Sequence, residues 1–269
     1  MLIEKDIHPT AIISPDSEIA RGVKIGPYAV VGPEVEIGPE TEIGPHAVIE
    51  GHTRLGEKIK VFQFTSIGAP PQDLKYAGEP TKVEIGDQAI IREFVTVHRG
   101  TQGGGGITRV GKQCMLMAYC HVAHDCQIGD QVIMANGVTL GGHVEIGEYA
   151  IIGGLSAIHQ FCRIGAHAFL GGMSGVNKDI PPYVKYWGQR DHLYGLNLVG
   201  LRRQGLSREA IDALKEAYRV IFQGSATVGD ALDVVESRFG AMPEVKKFTE
   251  FIRSSKRGVP MASNGAEEP

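Results

Sequence analysis

The side chains best suited to chemistry crowd into one stretch of this chain. Of its ten histidines, four fall between positions 121 and 159: His121, His124, His143 and His159. Asp125 follows His124, Gly142 precedes His143, and Gln160 follows His159. A neutral imidazole whose second nitrogen is held by a carboxylate is a general base for a hydroxyl nucleophile. Three imidazoles with a bound water are also a catalytic zinc set. The spacing leaves both chemistries open. A single histidine would most simply be structural, whereas histidines aligned on one edge argue for a site.

Such alignment needs a scaffold, and the sequence carries a strict one. Apolar residues fall at every sixth position from Ile7 through Ile25, Ile37 and Ile49 to Ile67. They resume at Ile85, Ile91 and Val97, and run again from Val110 through Val122, Leu140 and Ile158 to Val176. Four positions after each comes a small or β-branched residue, such as Ala29, Val35, Thr41, Cys114, Cys120 or Cys126. A period of six matches neither an amphipathic helix nor a simple hairpin. It fits a short strand plus a tight turn, repeated as a parallel β-helix. Three units make a coil, so residues eighteen apart share an edge, and roughly eight or nine coils are expected. Rungs ~4.8 Å apart let the turns after Val122, Leu140 and Ile158 stack over roughly 10 Å. Those turns hold His124 with Asp125, Gly142 with His143, and His159 with Gln160.

Composition agrees with a mainly β fold of this kind. Glycine is 36 of 269 residues while aromatics are only 7%, so small aliphatic side chains must fill the core. The four cysteines, Cys162 included, lack CxxC spacing and fall on the inward position, as small core residues rather than metal ligands. A net charge of −4 argues against nucleic-acid binding. Without an apolar run of 18 residues or a signal peptide, a cytoplasmic protein with no transmembrane segment is expected.

Two breaks interrupt the repeat, near 68–82 and 98–109, and both read as loops thrown out of the prism. The repeat domain therefore spans 1–180. Beyond Pro181-Pro182 the pattern turns helical over 190–255, with starts at Ser207, Thr227 and Pro243. Residues 256–269 read as a flexible tail. Residues 1–200 are net acidic, whereas 201–257 are net basic through Arg202, Arg203, Lys246, Lys247, Lys256 and Arg257. That is either a solvated face or a dock for an acidic protein.

The six-residue repeat resembles the hexapeptide-repeat acyltransferases, which implies a left-handed parallel β-helix. The local motifs resemble one branch of them. Ala118-Tyr-Cys-His121-Val-Ala-His124-Asp125-Cys126, Thr139-Leu-Gly-Gly142-His143 and Ile151-Ile-Gly-Gly-Leu-Ser-Ala-Ile-His159-Gln160-Phe161 are similar to the UDP-N-acetylglucosamine O-acyltransferases of lipid A synthesis. So are Gly68-Ala-Pro-Pro-Gln72-Asp73-Leu-Lys75-Tyr76, Gly171-Gly172-Met-Ser-Gly-Val and Pro243-Glu-Val-Lys-Lys-Phe. The resemblance implies a metal-free, cofactor-free transfer from 3-hydroxyacyl-acyl carrier protein to the sugar 3-hydroxyl. It makes His124 the general base, Asp125 its support and the Gly142 N–H the oxyanion donor. It assigns substrate contacts to Gln72, Asp73, Lys75, His121, His143, His159 and Gln160, and nucleotide contacts to Asn197 and Arg203. Gly172 becomes the acyl-chain ruler, leaving room for a chain near 3-hydroxymyristoyl. A homotrimer with sites between subunits is implied, and the basic helices would dock acyl carrier protein. The pattern departs from the family at Val199, usually acidic, and at Gln204, usually basic. The rivals are an N-acyltransferase acting on a 3-amino UDP-sugar, a zinc hydratase using the histidine column, and a non-catalytic β-helix.

Overall fold

A computed structural model describes residues 6–263. Two-residue strands alternate with two-residue turns, and each strand pairs in parallel with the strand one coil away: Lys24–Ile25 with Glu42–Ile43, His121–Val122 with Thr139–Leu140. Three flat faces result, of 12, 9 and 8 strands, wound as a left-handed parallel β-helix. We number the faces in the order in which the chain visits them, beginning with Asp6–Ile7. The in-phase residues point inward, and Ile49, Ile67, Leu116 and Leu140 have no exposed surface. All four cysteines are free and buried among them, and the Cys126 thiol donates to Gly141 O at 3.2 Å.

Each corner has the same local chemistry. The second turn residue takes a left-handed conformation even when it is not glycine, as at Tyr28, Glu40, Phe64, Asp125 and His143, all with φ between 56° and 61°. An isolated residue would avoid this conformation, and the ladder of the neighbouring coils holds it there. The first turn residue needs no N–H for the ladder, which is why Pro27, Pro33, Pro39 and Pro45 sit there. Where that N–H exists, it is free for another oxygen. At Lys112 it donates to Asp130 Oδ1 of the next coil at 2.7 Å, and at Glu57 to Asp87 Oδ1 at 3.1 Å.

Both insertions leave from the corner between the second and third faces. One runs between the strands Ser66–Ala69 and Lys82–Ile85, the other between Thr96–His98 and Ile107–Val110. The turns holding His124, Gly142 and His159 lie at the same corner. After the prism comes a hairpin of Val184–Trp187 and His192–Leu196, which extends the first face, so the region from 190 opens on a strand. Helices α1 (Leu198–Arg203), α2 (Arg208–Gln223), α3 (Val228–Phe239) and α4 (Pro243–Arg253) follow. Ser207 caps α2, Thr227 caps α3 and Pro243 opens α4, as expected.

The expected tail is corrected in its first half. Residues 256–263 return to the prism, where Met261–Ala262 pairs with His192–Leu193 and Asp179 N donates to Gly258 O. Arg163 fastens this return by bonding Asp179 Oδ2, Ser254 Oγ and Phe251 O. Residues 264–269 lie outside the described residues.

Candidate active site

His124 occupies a first turn position, the one taken by proline in earlier coils, and its ring leans along the corner. Its Nδ1 lies 2.8 Å from Asp125 Oδ2, and the Asp125 side chain has no solvent exposure. A carboxylate only accepts, so Nδ1 carries the hydrogen and Nε2 is the basic nitrogen. His143, one coil on, meets the His124 ring edge to face at 5.0 Å between centroids, with Nε2 3.9 Å from Asp125 Oδ2. Phe161 stacks beneath His143 at 4.4 Å and 8°.

Two further histidines back this group. His121 Nδ1 shares a hydrogen with Thr96 Oγ1 at 2.7 Å, and His98 packs edge-on against His121 at 4.9 Å. Burial lowers the pKa of His121 and His143 below the ordinary imidazole value and pushes that of His98 down to about 4. These three imidazoles are therefore neutral at neutral pH, although the charges of Asp125 and Asp73 work against the lowering at His143.

Gly142 meets two demands. A Cβ there would lie 2.5 Å from His124 Cε1 and 2.6 Å from Nε2, so only glycine lets the imidazole lie over this turn. Its N–H sits at the first turn position and donates to nothing among the described residues. A basic nitrogen and an unused N–H thus stand together, the pairing that acyl transfer needs. A groove of roughly 600 Å³ opens on the third-face side of this corner, lined by Asp125, His143, Phe161, Arg109 and Arg257 but by neither His124 nor Gly142.

The three-histidine ladder does not form. His159 falls one residue earlier in its coil than His124 and lies exposed, with Nδ1 3.2 Å from the Arg257 guanidinium. Phe161 occupies the third rung instead. Donor atoms of His124, Asp125 and His143 do converge within 4.8 Å, the closest approach being the His124–Asp125 hydrogen bond. Gln160 is exposed next to His159. On the first insertion Gln72 and Lys75 are exposed, and Asp73 Oδ1 accepts the Lys75 N–H at 3.0 Å.

Three expected residues stand elsewhere. Gly172 lies at the corner between the first and second faces, where a Cβ would meet only Gly154, its O at 3.2 Å, and would otherwise point into open space. Asn197 lies at the corner between the third and first faces. Its Oδ1 caps α1 through Gly200 N and its Nδ2 donates to His167 O, so both polar atoms are engaged inside the fold. Arg203 is exposed in the last turn of α1. The expected site is therefore spread over three corners of one prism.

Comparison with known proteins decides the family. The chain is 51% identical over 254 residues to the acyl-[acyl-carrier-protein]--UDP-N-acetylglucosamine O-acyltransferase of Thermodesulfovibrio yellowstonii, covering 94% of this chain and 98% of that protein. It belongs to that family. The namesake from Thiobacillus denitrificans is 47% identical over 94% of this chain and 98% of its own. LpxA from Acinetobacter baumannii superposes with a TM-score of 0.91 at 44% identity, covering 94% of this chain and 99% of that one. The Francisella novicida UDP-N-acetylglucosamine acyltransferase gives 0.93 at 35% identity over 98% and 99%. The family models agree: bacterial transferase hexapeptide repeats match residues 16–51 and 107–142, and domain 2 of UDP-N-acetylglucosamine O-acyltransferase matches 179–260.

Sequence reasoning missed His98, Thr96, Thr101 and Phe161 as parts of this O-acyltransferase corner. Phe161 was within reach, because it is eighteen residues after His143, which is eighteen after Asp125. Nothing in the repeat points to Thr101, which reaches the corner only through the path of its insertion.

Proposed function

We propose that this chain transfers a 3-hydroxyacyl group from the thioester of acyl carrier protein to the 3-hydroxyl of UDP-N-acetylglucosamine, the first step of lipid A synthesis. The observation that carries the proposal is the Asp125-bound imidazole of His124 lying against the turn of Gly142, whose N–H is unused among the described residues. His124 Nε2 takes the proton from the sugar hydroxyl, whose oxygen attacks the thioester carbonyl. The Gly142 N–H receives the resulting oxyanion. Collapse breaks the carbon–sulfur bond, and the imidazolium returns its proton to the departing thiolate. Asp125 holds the productive tautomer and stabilises the imidazolium. Gln72, Asp73, Lys75, His121, His143, His159 and Gln160 position the substrates. No step requires a metal or cofactor.

The separation of Gly172, Asn197 and Arg203 from His124 supports assembly as a homotrimer, in which neighbours complete each site. The corner between the first and second faces fits such contacts. Tyr28, His46, Phe64, Phe94 and Tyr119 stack there at 4.9–5.2 Å, and Leu155 and Met173 continue this exposed edge. Gly172 shares the edge, which suits a ruler for the chain bound by a neighbour. Acyl carrier protein, an acidic partner, meets the basic C-terminal region, where Arg202, Arg203 and Lys256 carry no ion pair among the described residues. Among the described residues no helix is long and apolar enough to cross a membrane. Cytoplasmic action on soluble substrates is in keeping with that.

The test incubates the protein with UDP-N-acetylglucosamine and 3-hydroxyacyl carrier proteins of several lengths, with and without chelator, and reads the product by mass. Acylated sugar that survives chelator and disappears in His124→Ala is expected. Acylation only of a 3-amino sugar, or activity lost to chelator, refutes the proposal. Tyr119→Asp, read by light scattering after gel filtration, is expected to dissociate the assembly. A variant that stays trimeric rules out this edge as the contact.

A further inference from the structure

The second insertion folds over one side chain. Thr101 N lies 2.9 Å from Asp125 Oδ1 and 3.1 Å from Oδ2, and the Thr101 hydroxyl donates to Oδ2 at 2.7 Å. The Asp125 N–H donates in turn to Thr108 Oγ1 at 2.8 Å. Glycines make this closure possible. A Cβ at Gly104 would overlap the Asp125 carboxylate, and one at Gly100 would come within 2.8 Å of Oδ1. The insertion is itself pinned at its base, because Arg99 Nε donates to Gly68 O at 2.8 Å and Arg99 N donates to Ala69 O. Asp125 is thereby enclosed, with Oδ2 bound by Thr101 on one side and by His124 on the other.

We propose that Thr101 is a positioning residue for acyl transfer, acting through Asp125 on His124, and that the glycine run lets the insertion close on that carboxylate. The inference rests on the proposed role of His124. The Thr101 N–H is shared between both carboxylate oxygens, whereas its hydroxyl bonds Oδ2 alone and so fixes which oxygen faces Nδ1. The hydroxyl also draws charge from that oxygen. Removing it makes Asp125 a stronger base, which favours the protonated form of His124. Two effects follow from one deletion: a misaligned base and an acid limb moved to higher pH.

Thr101→Val removes the donor at nearly constant volume, Thr101→Ser keeps it, and Gly104→Ala presses on the carboxylate from the other side. Each is read twice: by steady-state kinetics across pH, and by NMR titration of the His124 ring, assigned with His124→Ala. In Thr101→Val, kcat should fall about tenfold with the sugar KM little changed. The His124 titration and the acid limb should both rise by roughly half a pH unit. Thr101→Ser should recover most of the rate and the titration. Gly104→Ala should lower kcat and move the His124 titration. A purely structural Thr101 would lower Tm without moving the titration. The inference is overturned if Thr101→Val keeps the wild-type rate and titration, or if Thr101→Ser loses as much as Thr101→Val. Should Thr101→Val fail to fold, an unmoved titration in Gly104→Ala overturns it as well. The titration needs no substrate, so absence of transfer by the wild type counts against the proposed function alone.

Discussion

Gly142→Ala tests the joint placement of base and oxyanion donor with the smallest possible change. The new Cβ would stand 2.5 Å from His124 Cε1 and 2.6 Å from Nε2, whereas ordinary contact begins at 3.4 Å. The imidazole must retreat by about 0.9 Å, the difference between contact distance and the 2.5 Å approach. Its Nδ1 is tethered at 2.8 Å to an Asp125 that is enclosed on all sides, so the retreat stretches that bond and moves Nε2 off line. Misplacement by about 1 Å costs on the order of 10²-fold in rate, or ~2.7 kcal/mol of transition-state stabilisation. Stability should hardly change. Gly142 is not among the left-handed glycines, so alanine meets no backbone strain, and the new methyl presses on the His124 ring rather than on the apolar core. We expect kcat/KM to fall about 10²-fold while Tm stays within about 2 °C. Initial rates read by mass, beside a thermal melt, make the comparison. Activity within about threefold of wild type would refute the reasoning, as would a loss that simply tracks a collapse in Tm.

Two predictions concern buried groups. Burial pushes the Cys126 thiol up to about 12 and those of Cys114 and Cys120 to about 11, and it raises Cys162 as well. The folded protein should therefore resist thiol reagents at pH 8 and expose all four thiols only in denaturant. Stoichiometric labelling of the native state would contradict the core assignment. His98, held near a pKa of about 4 against an ordinary 6.5, binds its proton more readily in the unfolded chain. Its contribution to stability is complete above pH 6.5, is lost as pH falls toward 4 and is constant below that. Up to about 3 kcal/mol is at stake, and His121, His143 and His167 are lowered in the same direction. Denaturation between pH 6.5 and 4 should be shallower in pH for His98→Phe than for wild type. Equal slopes would place the titration elsewhere.

The sequence by itself determined the prism. A coil in a parallel β-helix touches only its neighbours, so a strict six-residue apolar period fixes which residues point inward and which share an edge. The inward Ile49 and Leu140, the buried cysteines, the prolines at first turn positions and the caps at Ser207 and Thr227 all follow from local rules. The same phase counting put His124, Gly142 and His143 on one corner, whereas the structure showed that both insertions leave from it too. It erred by one position for His159, and a shift of one residue along a strand or turn is enough to turn a side chain out of the column.

Tertiary structure alone decided what happens where the period stops. Thr101 reaches Asp125 across 24 residues because its insertion doubles back over the corner. Asn197 is drawn inside by α1 and His167, and the segment after α4 returns to pair with His192–Leu193. No repeat encodes these contacts. They depend on where a long excursion finds the nearest unsatisfied donor, acceptor or strand edge, and that is settled only once the prism and helices are in place. The position of Gly172 on a different corner from His124 has the same origin. Periodicity assigns each residue its corner, but only the closed prism shows that one chain cannot bring those corners together.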